Sequence, residues 1–320
     1  MTKEYRQHHW NDFIASECKR LVECAIAEDQ AKVGDLTSAA LIPEAATGSA
    51  AVVARNAGVV AGLSAMPVLL ETVDAKLEWV QLVGDGAAIR SGDTMGVVSG
   101  PVRSLLGAER LLLNLLGRLS GVATLTSQYV AAVAGTKASI YDTRKTTLGW
   151  RYLEKYAVKL GGGWNHRTGL FDAVLIKDNH LAFGSSGDQW HTFFSPADAV
   201  QAAKKFITKF MEHTSPSDPV LIEIEVDNLE QLAEVLPAKP DIVLLDNMPP
   251  DWLRRAVRMR NETDSAVQLE ASGGVNLQTV HAIAESGVER ISVGALTHSA
   301  IQLDFGLDWK TGTSLTEPQS

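Results

Sequence analysis

Seven of the 29 Lys/Arg but only four of the 38 Asp/Glu fall in residues 142–180, DTRKTTLGWRYLEKYAVKLGGGWNHRTGLFDAVLIKDNH. The segment therefore carries +3 in a chain whose net charge is −9. Cations gathered in one stretch of an acidic protein suit a small polyanion better than a general surface property. Arginine offers a planar fork to carboxylates, and lysine a point charge to phosphates. Arg144, Lys145, Arg167 and Lys177, converging with His166, thus predict a site for ligands that carry both anions. Lys155 and Lys159 lie four apart on an intervening helix and read, like Arg151, as solvated surface charges. His180 reads equally as structural or functional, and His8, His9 and His191 as incidental.

Two acids stand opposite these cations. Glu225 and Asp246 end consecutive expected strands, and neighbouring carboxylates need a cation or a proton between them. Mg²⁺ held by one or two carboxylates and substrate phosphates fits that need, with Glu223 as the reserve ligand. A general-acid/base pair for glycoside hydrolysis is the rival, but a neutral sugar needs none of the surrounding cations. Glycines follow the last two strands. ASGGV places Ser272-Gly273-Gly274 before a helix expected from about Asn276, and SVGAL places Gly294 before another. Such turns expose N–H groups to a terminal phosphate.

These residues need a scaffold that brings strand ends together. SIYDT, AVLIK, VLIEIEV, DIVLL, VQLEA and RISV are short apolar runs, mostly separated by helical segments. Such alternation predicts a parallel sheet with crossover helices, buried on both faces. All six runs end in polar residues or glycine, as on the catalytic rim of an α/β barrel, complete or slightly short of eight strands. Earlier in the chain, residues 10–30 predict an amphipathic helix. Residues 48–103 predict short strands of a small α+β domain, and Ser104 a cap for a buried helix followed by a second at roughly 122–134. Residues 178–219 are irregular, and the loop at 182–195 reads as a lid, an interface element or a tolerated insertion. The tail TGTSLTEPQS reads as frayed.

The bulk properties are those of a globular chain of 320 residues, 45% hydrophobic and 21% charged. No apolar run is long enough to predict a transmembrane helix, and the N-terminus lacks an apolar signal core. The charge argues against nucleic acid or an anionic membrane as partner. Cys18 fits an apolar stripe with Ile14, Leu21 and Ala25, so both Cys18 and Cys24 read as reduced and structural, and the compartment as cytoplasmic.

Read together, DTRKTT, GGGWNHR, LIKDNH, EIEVDN, LLDN and EASGG, with AERLLLNLLGRLSGVAT upstream, stand in the order seen in quinolinate phosphoribosyltransferases. The chain resembles that family, the carboxylating nicotinate-nucleotide pyrophosphorylases, over nearly its whole length. The resemblance implies an N-terminal α+β domain (1–118, with 300–320 packing back on it). It also implies an open α/β barrel (119–299). It further implies a homodimer in which Arg110 enters the neighbouring active site, a possible higher oligomer, and Mg²⁺ as cofactor. The implied reaction joins quinolinate to 5-phosphoribosyl 1-diphosphate and gives nicotinate mononucleotide, pyrophosphate and CO₂.

On that resemblance Arg110, Arg144, His166 and Arg167 face the quinolinate carboxylates. Lys145 and Lys177 neutralise diphosphate and nearby carboxylate charge. Glu225 and Asp246 hold ribose hydroxyls and Mg²⁺, and Lys145, Lys177, Glu225 and Asp246 are the catalytic set. Ser272, Gly273, Gly274 and Gly294 bind the 5-phosphate. Thr143, Val293 and Ala295 complete the substrate-binding set. The chain departs from the family pattern at Leu148, where proline is usual. Three other readings stand beside it: a molybdenum-transport-associated paralogue, a Schiff-base aldolase using Lys145 or Lys177, and a silent phosphate-ligand sensor.

Overall fold

The computed structural model describes residues 4–184, 194–214, 220–263 and 266–309. His191, the tail TGTSLTEPQS and most of the 182–195 loop lie outside the described residues. The chain forms two compact units, one of His9–Thr124, Tyr152–Gly161 and the segment from Ala300, the other of the segment up to His8, Leu125–Arg151 and Gly162–Ser299.

The first unit opens with helix α1 (Asp12–Gln30), started by Asn11, whose side chain accepts the Ile14 N–H at 3.0 Å. Its buried stripe is Ile14, Cys18 and Val22, so Val22 takes the place expected of Leu21. Cys18 is free and buried, and burial pushes its thiol up to about 12; Cys24 is free but exposed. Two short helices, α2 (Leu36–Leu41) and α3 (Met66–Val73), accompany strands β1 (Thr47–Ala54), β2 (Gly58–Val59), β3 (Glu78–Gln81), β4 (Ala88–Ile89) and β5 (Thr94–Pro101). β5 lies between β1 and β3, all antiparallel, and β2 pairs with β4.

Helix α4 (Val102–Ala132) is one continuous element where two were expected. Ser104 lies inside its first turn and donates to Asp74 Oδ2 at 2.5 Å instead of capping it. Helix α5 (Arg151–Leu160) buries six consecutive residues, Leu153 to Val158, which overturns the reading of Lys155 as a solvated charge. Charge spacing suggested one wet face, but this helix is covered all round. Within the unit Arg118 Nη2 donates to the buried Glu154 Oε1 at 2.6 Å, and the Tyr156 hydroxyl to Asp85 Oδ2 at 2.7 Å. Gly162, with φ +85°, takes the left-handed conformation just beyond the helix end, a place where glycine carries no Cβ penalty.

The second unit is built on six parallel strands: β6 (Ser139–Tyr141), β7 (Val174–Ile176), β8 (Ile222–Val226), β9 (Ile242–Asp246), β10 (Gln268–Ser272) and β11 (Arg290–Ser292). Their order is β6-β11-β10-β9-β8-β7, so β6 and β7 are the outer strands, and Trp164 pairs with β6 on its far side through Ile140 and Asp142. Helices α6 (Asp178–Phe183), α7 (Pro196–Thr214), α8 (Leu229–Val235), α9 (Pro250–Glu262), α10 (Val280–Ala284) and α11 (Ala295–His298) follow the strands. All six expected strands are present, and register explains the clustering of polar ends: Ser272 stands opposite Asp246, and Glu225 opposite Leu244. The helix expected from Asn276 starts only at Val280, because the Asn276 side chain accepts the Gln278 and Thr279 N–H groups and holds a turn first.

The last described strand, β12 (Phe305–Trp309), belongs to the first unit and pairs antiparallel with β1, from Ala54 opposite Phe305 to Ala50 opposite Trp309. The fold is therefore an antiparallel-sheet domain and an open parallel α/β domain, with the C-terminal strand returning to the first sheet. Among the described residues no helix is long and apolar enough to cross a membrane.

Candidate active site

A cleft of about 830 Å³ lies at the carboxyl ends of the parallel strands. It is lined by Thr143, Arg144 and Lys145 after β6, His166 and Arg167 from the next loop, Lys177 after β7, Glu225 of β8 and Asp246 of β9. Ser272, Gly273 and Gly274 after β10, and Gly294 and Ala295 after β11, close the ring. Two expected residues are elsewhere. Val293 is buried and does not line the cleft, and its N–H donates to the Tyr141 carbonyl at 2.9 Å. Arg110 is exposed on α4, in the other unit.

Asp142, fully buried at the end of β6, organises the cationic loops. It accepts the His166 N–H at 2.8 Å on Oδ1 and the Asn165 side-chain amide at 2.8 Å on Oδ2. Arg151, expected as a surface charge, ties the same loops together. It donates to Thr146 Oγ1 at 3.1 Å and to the Thr168 carbonyl at 3.2 Å. Thr297 holds the Lys145 carbonyl at 2.7 Å. The backbone that carries Arg144, Lys145, His166 and Arg167 is thus fixed by side chains that never face the cleft.

The two arginines are set for an anion. Arg144 Nε is buried without a hydrogen-bond partner. Burial, and next the Arg144 charge, hold the Arg167 guanidinium below its ordinary pKa. A buried donor without an acceptor and two like charges kept close are both unfavourable until a carboxylate arrives. Opposite them, the Lys177 ammonium donates to Glu225 Oε2. Asp246 accepts the Asn247 side-chain amide at 2.7 Å. Asn247 adopts φ +54°, and a Cβ on Gly273, itself at φ +89°, would overlap its Oδ1. The turn at Gly273 therefore admits no side chain.

Beneath the cleft is a buried polar cluster. His166 Nε2 lies 3.1 Å from Glu223 Oε2 and 3.4 Å from Glu270 Oε1. Glu270 Oε2 in turn accepts Arg290 Nε at 2.9 Å. Burial alone would lower the His166 pKa, but Glu223 and Glu270 outweigh it and raise it to about 9. The Arg167 N–H, donated to Nδ1 at 2.7 Å, opposes that rise because it occupies the Nδ1 lone pair. The hydrogen bond decides the tautomer: Nε2 carries the proton and faces Glu223 Oε2, while Glu270 Oε1 lies farther off without a hydrogen bond.

His166, Glu223 and Glu270 are the one trio of possible metal ligands that converge among the described residues. With Nδ1 occupied by a donor, the ring must keep its proton on Nε2, and that nitrogen has no lone pair for a cation. Glu223, the expected reserve ligand, has Oε2 engaged by the Tyr5 hydroxyl and His166, while its buried Oε1 has no hydrogen-bond partner. His180 is structural: its Nδ1 accepts the Lys177 N–H at 2.9 Å at the start of α6. His8, expected to be incidental, is buried and hydrogen-bonded to Thr168 Oγ1 at 2.6 Å.

Sequence reasoning missed Asn247, His298, Ser292, Leu175, Leu244 and Val275, all of which line the cleft. Asn247 and Ser292 were within reach, since each sits at the carboxyl end of an expected strand. His298 is four residues beyond Gly294 on a helix too short to have shown a period.

Comparison with known proteins agrees with this geometry. The profile of the quinolinate phosphoribosyl transferase C-terminal domain matches residues 122–308, and that of the N-terminal domain residues 35–120. The nicotinate-nucleotide pyrophosphorylase [carboxylating] of Mycobacterium leprae is 42% identical over 89% of this chain and 94% of its own length. A probable counterpart from Bacillus subtilis is 37% identical over 91% and 93%. The solved nicotinate-nucleotide pyrophosphorylase of Francisella tularensis superposes with a TM-score of 0.83, at 34% identity, over 96% of this chain and all of that one. With both domains matched and close relatives spanning almost the full length, the chain belongs to the quinolinate phosphoribosyltransferase family.

Proposed function

We infer that the cleft joins quinolinate to 5-phosphoribosyl 1-diphosphate, with loss of pyrophosphate and CO₂, giving nicotinate mononucleotide for de novo NAD synthesis. The observation that carries this reading is the Arg144–Arg167 pair, one with a buried unsatisfied donor and the other with a depressed pKa. A dicarboxylate relieves both costs at once. Arg144 and Arg167 read the quinolinate carboxylates, and His166, with both ring nitrogens engaged within the chain, positions Arg167 beside them. We propose that Arg110 of a second copy completes that set in a homodimer.

The other wall serves the phosphoribosyl donor. Thr143 stands beside these anion-binding loops. Ser272, Gly273, Gly274, Gly294 and Ala295 hold the 5-phosphate. Lys145 and Lys177 stabilise charge that builds on the departing diphosphate. Glu225 and Asp246, two cleft-facing carboxylates on adjacent strands, fit the ribose hydroxyls and Mg²⁺, which binds through one or two carboxylates and substrate phosphates. When bound, the ion would neutralise diphosphate charge.

The ring nitrogen of quinolinate displaces pyrophosphate at the anomeric carbon. The nitrogen so alkylated is cationic, and it stabilises the electron pair left when the adjacent carboxylate departs as CO₂, a pair that then takes up a proton from solvent. Decarboxylation therefore follows ribosyl transfer. A Schiff-base reading is disfavoured because Lys177 is engaged by Glu225 as a cation. We place the reaction in the cytoplasm. Release of CO₂ from carboxyl-labelled quinolinate, dependent on both phosphoribosyl diphosphate and Mg²⁺, tests the assignment. Release without the phosphoribosyl donor, or none at all, overturns it.

A further inference from the structure

We propose that residues Glu4–His8 are a positioning element for the carboxylate-reading loop, with Tyr5 setting His166 and, through it, Arg167; this rests on the function proposed above. Nothing in the local sequence MTKEYRQHH marks it for such a role.

The contacts converge on one loop. The Tyr5 ring stacks on His166, centroids 4.4 Å apart and planes at 26°. Its hydroxyl donates at 2.5 Å to Glu223 Oε2, the same oxygen that faces His166 Nε2. Gln7 pairs with the next residue back: its Oε1 accepts the Asn165 N–H at 2.9 Å and its Nε2 donates to the Asn165 carbonyl at 3.0 Å. The His8 N–H donates to Asn165 Oδ1 at 2.8 Å, and its ring reaches Thr168. Residues 165, 166 and 168 are therefore each held by the segment, and Arg167 lies between them. Glu4 anchors the other end, accepting from Arg290 Nη1 at 3.0 Å and from the Tyr141 hydroxyl at 2.8 Å.

Arg167 needs such help. Its guanidinium makes a long contact within the chain, Nη1 to the Ala173 carbonyl at 3.5 Å. Its aim is set by backbone placement, and the His166 ring, through Nδ1, grips the Arg167 N–H directly. A ring free to turn about χ1 would release that N–H. Tyr5 and Glu223 block the turn from the face and from the far nitrogen. The bonds of Tyr5, Gln7 and His8 described above go to Glu223, Asn165 and Thr168, on the side of the cleft proposed for quinolinate. That asymmetry separates a positioning role from a general clasp, which would affect both substrates alike.

Steady-state kinetics on the full-length enzyme tests this. Tyr5→Phe keeps the stack and loses the bond to Glu223, and Gln7→Ala loosens Asn165 independently. Each is expected to raise KM for quinolinate roughly three- to tenfold, as for one lost hydrogen bond. KM for phosphoribosyl diphosphate should stay within about twofold of wild type, below what one such bond would change. Thermal melts run alongside show that the variants are folded. Equal rises in both KM values, or a lowered Tm with neither KM changed, overturn the positioning role while the proposed function stands. A wild-type enzyme that releases no CO₂ from quinolinate overturns both.

Discussion

Lys177 and Glu225 face each other as an ammonium and a carboxylate from the ends of adjacent parallel strands, β7 and β8. Each is assigned to a different part of the phosphoribosyl donor, the lysine to diphosphate and the glutamate to ribose or Mg²⁺. On the function proposed above, the pair is a resting arrangement that substrate opens. Because Lys177 is partly exposed, the pair adds little to stability, on the order of 0–1 kcal/mol. Lys177→Ala should accordingly lower kcat by about 10²–10³-fold, as expected for loss of a transition-state donor. A calorimetric scan should show Tm nearly unchanged.

Arg144→Ala and Arg167→Ala should each weaken quinolinate binding by at least about 2–3 kcal/mol, the scale of a charge-assisted hydrogen bond. Phosphoribosyl diphosphate affinity should be largely retained. Titration calorimetry with each substrate separately reads both; unchanged quinolinate affinity would remove these residues from the carboxylate set.

Gly273→Ala places a Cβ against Asn247 Oδ1 in a backbone conformation that disfavours it. The expected outcome is a rise in KM for phosphoribosyl diphosphate of about tenfold or more, from a strain on the order of 1–3 kcal/mol. KM for quinolinate should move far less. A variant with both values intact would show that the turn does not bind phosphate.

Mixing Arg110→Ala subunits with Lys177→Ala subunits should restore part of the activity, because a mixed dimer would hold one site with neither lesion. Activity is measured after exchange has been demonstrated with tagged subunits. Exchange without recovery counts against a shared site.

Glu270 gives the pH dependence. Burial would raise its pKa, but His166 and Arg290 outweigh that and lower it from 4.5 to about 2. A depressed carboxylate contributes stability above its unfolded value, and this is lost as pH falls through the folded one. Stability should therefore fall between about pH 4.5 and 2. Glu270→Gln should cost about 3–5 kcal/mol at neutral pH, because Arg290 loses its buried partner. Its Tm should vary less than that of wild type across the acid window. Equal acid slopes for the two proteins would refute the assignment.

Much of the cleft was readable because strand–helix alternation predicts where strands end, and Arg144, Lys145, Lys177, Glu225, Asp246, Ser272 and Gly294 all sit at such ends. Periodicity also located all six parallel strands. It did not reveal that Glu223, Glu270 and Arg290 point inward as a charged cluster, since alternation along a strand gives the face and not the partner. Lys155 was misread because i, i+4 charge spacing usually marks a wet face, whereas α5 is covered on all sides. Tyr5 and His8 were missed for a different reason. Their partners lie more than 150 positions away, and no local pattern encodes a contact made at that separation.

The termini have a consequence for how the molecule comes into being. Residues 4–8 join the unit of the parallel strands, all of which follow far along the chain, and β12 completes the sheet that β1 begins. Neither half can reach its final hydrogen-bonded form on a nascent chain that still lacks residues 305–309 or the β8–β11 strands. A cut between the two matched domains would leave one without its closing strand and the other without its loop brace. The enzyme is in this sense a single folding transaction, divided in architecture but not in construction.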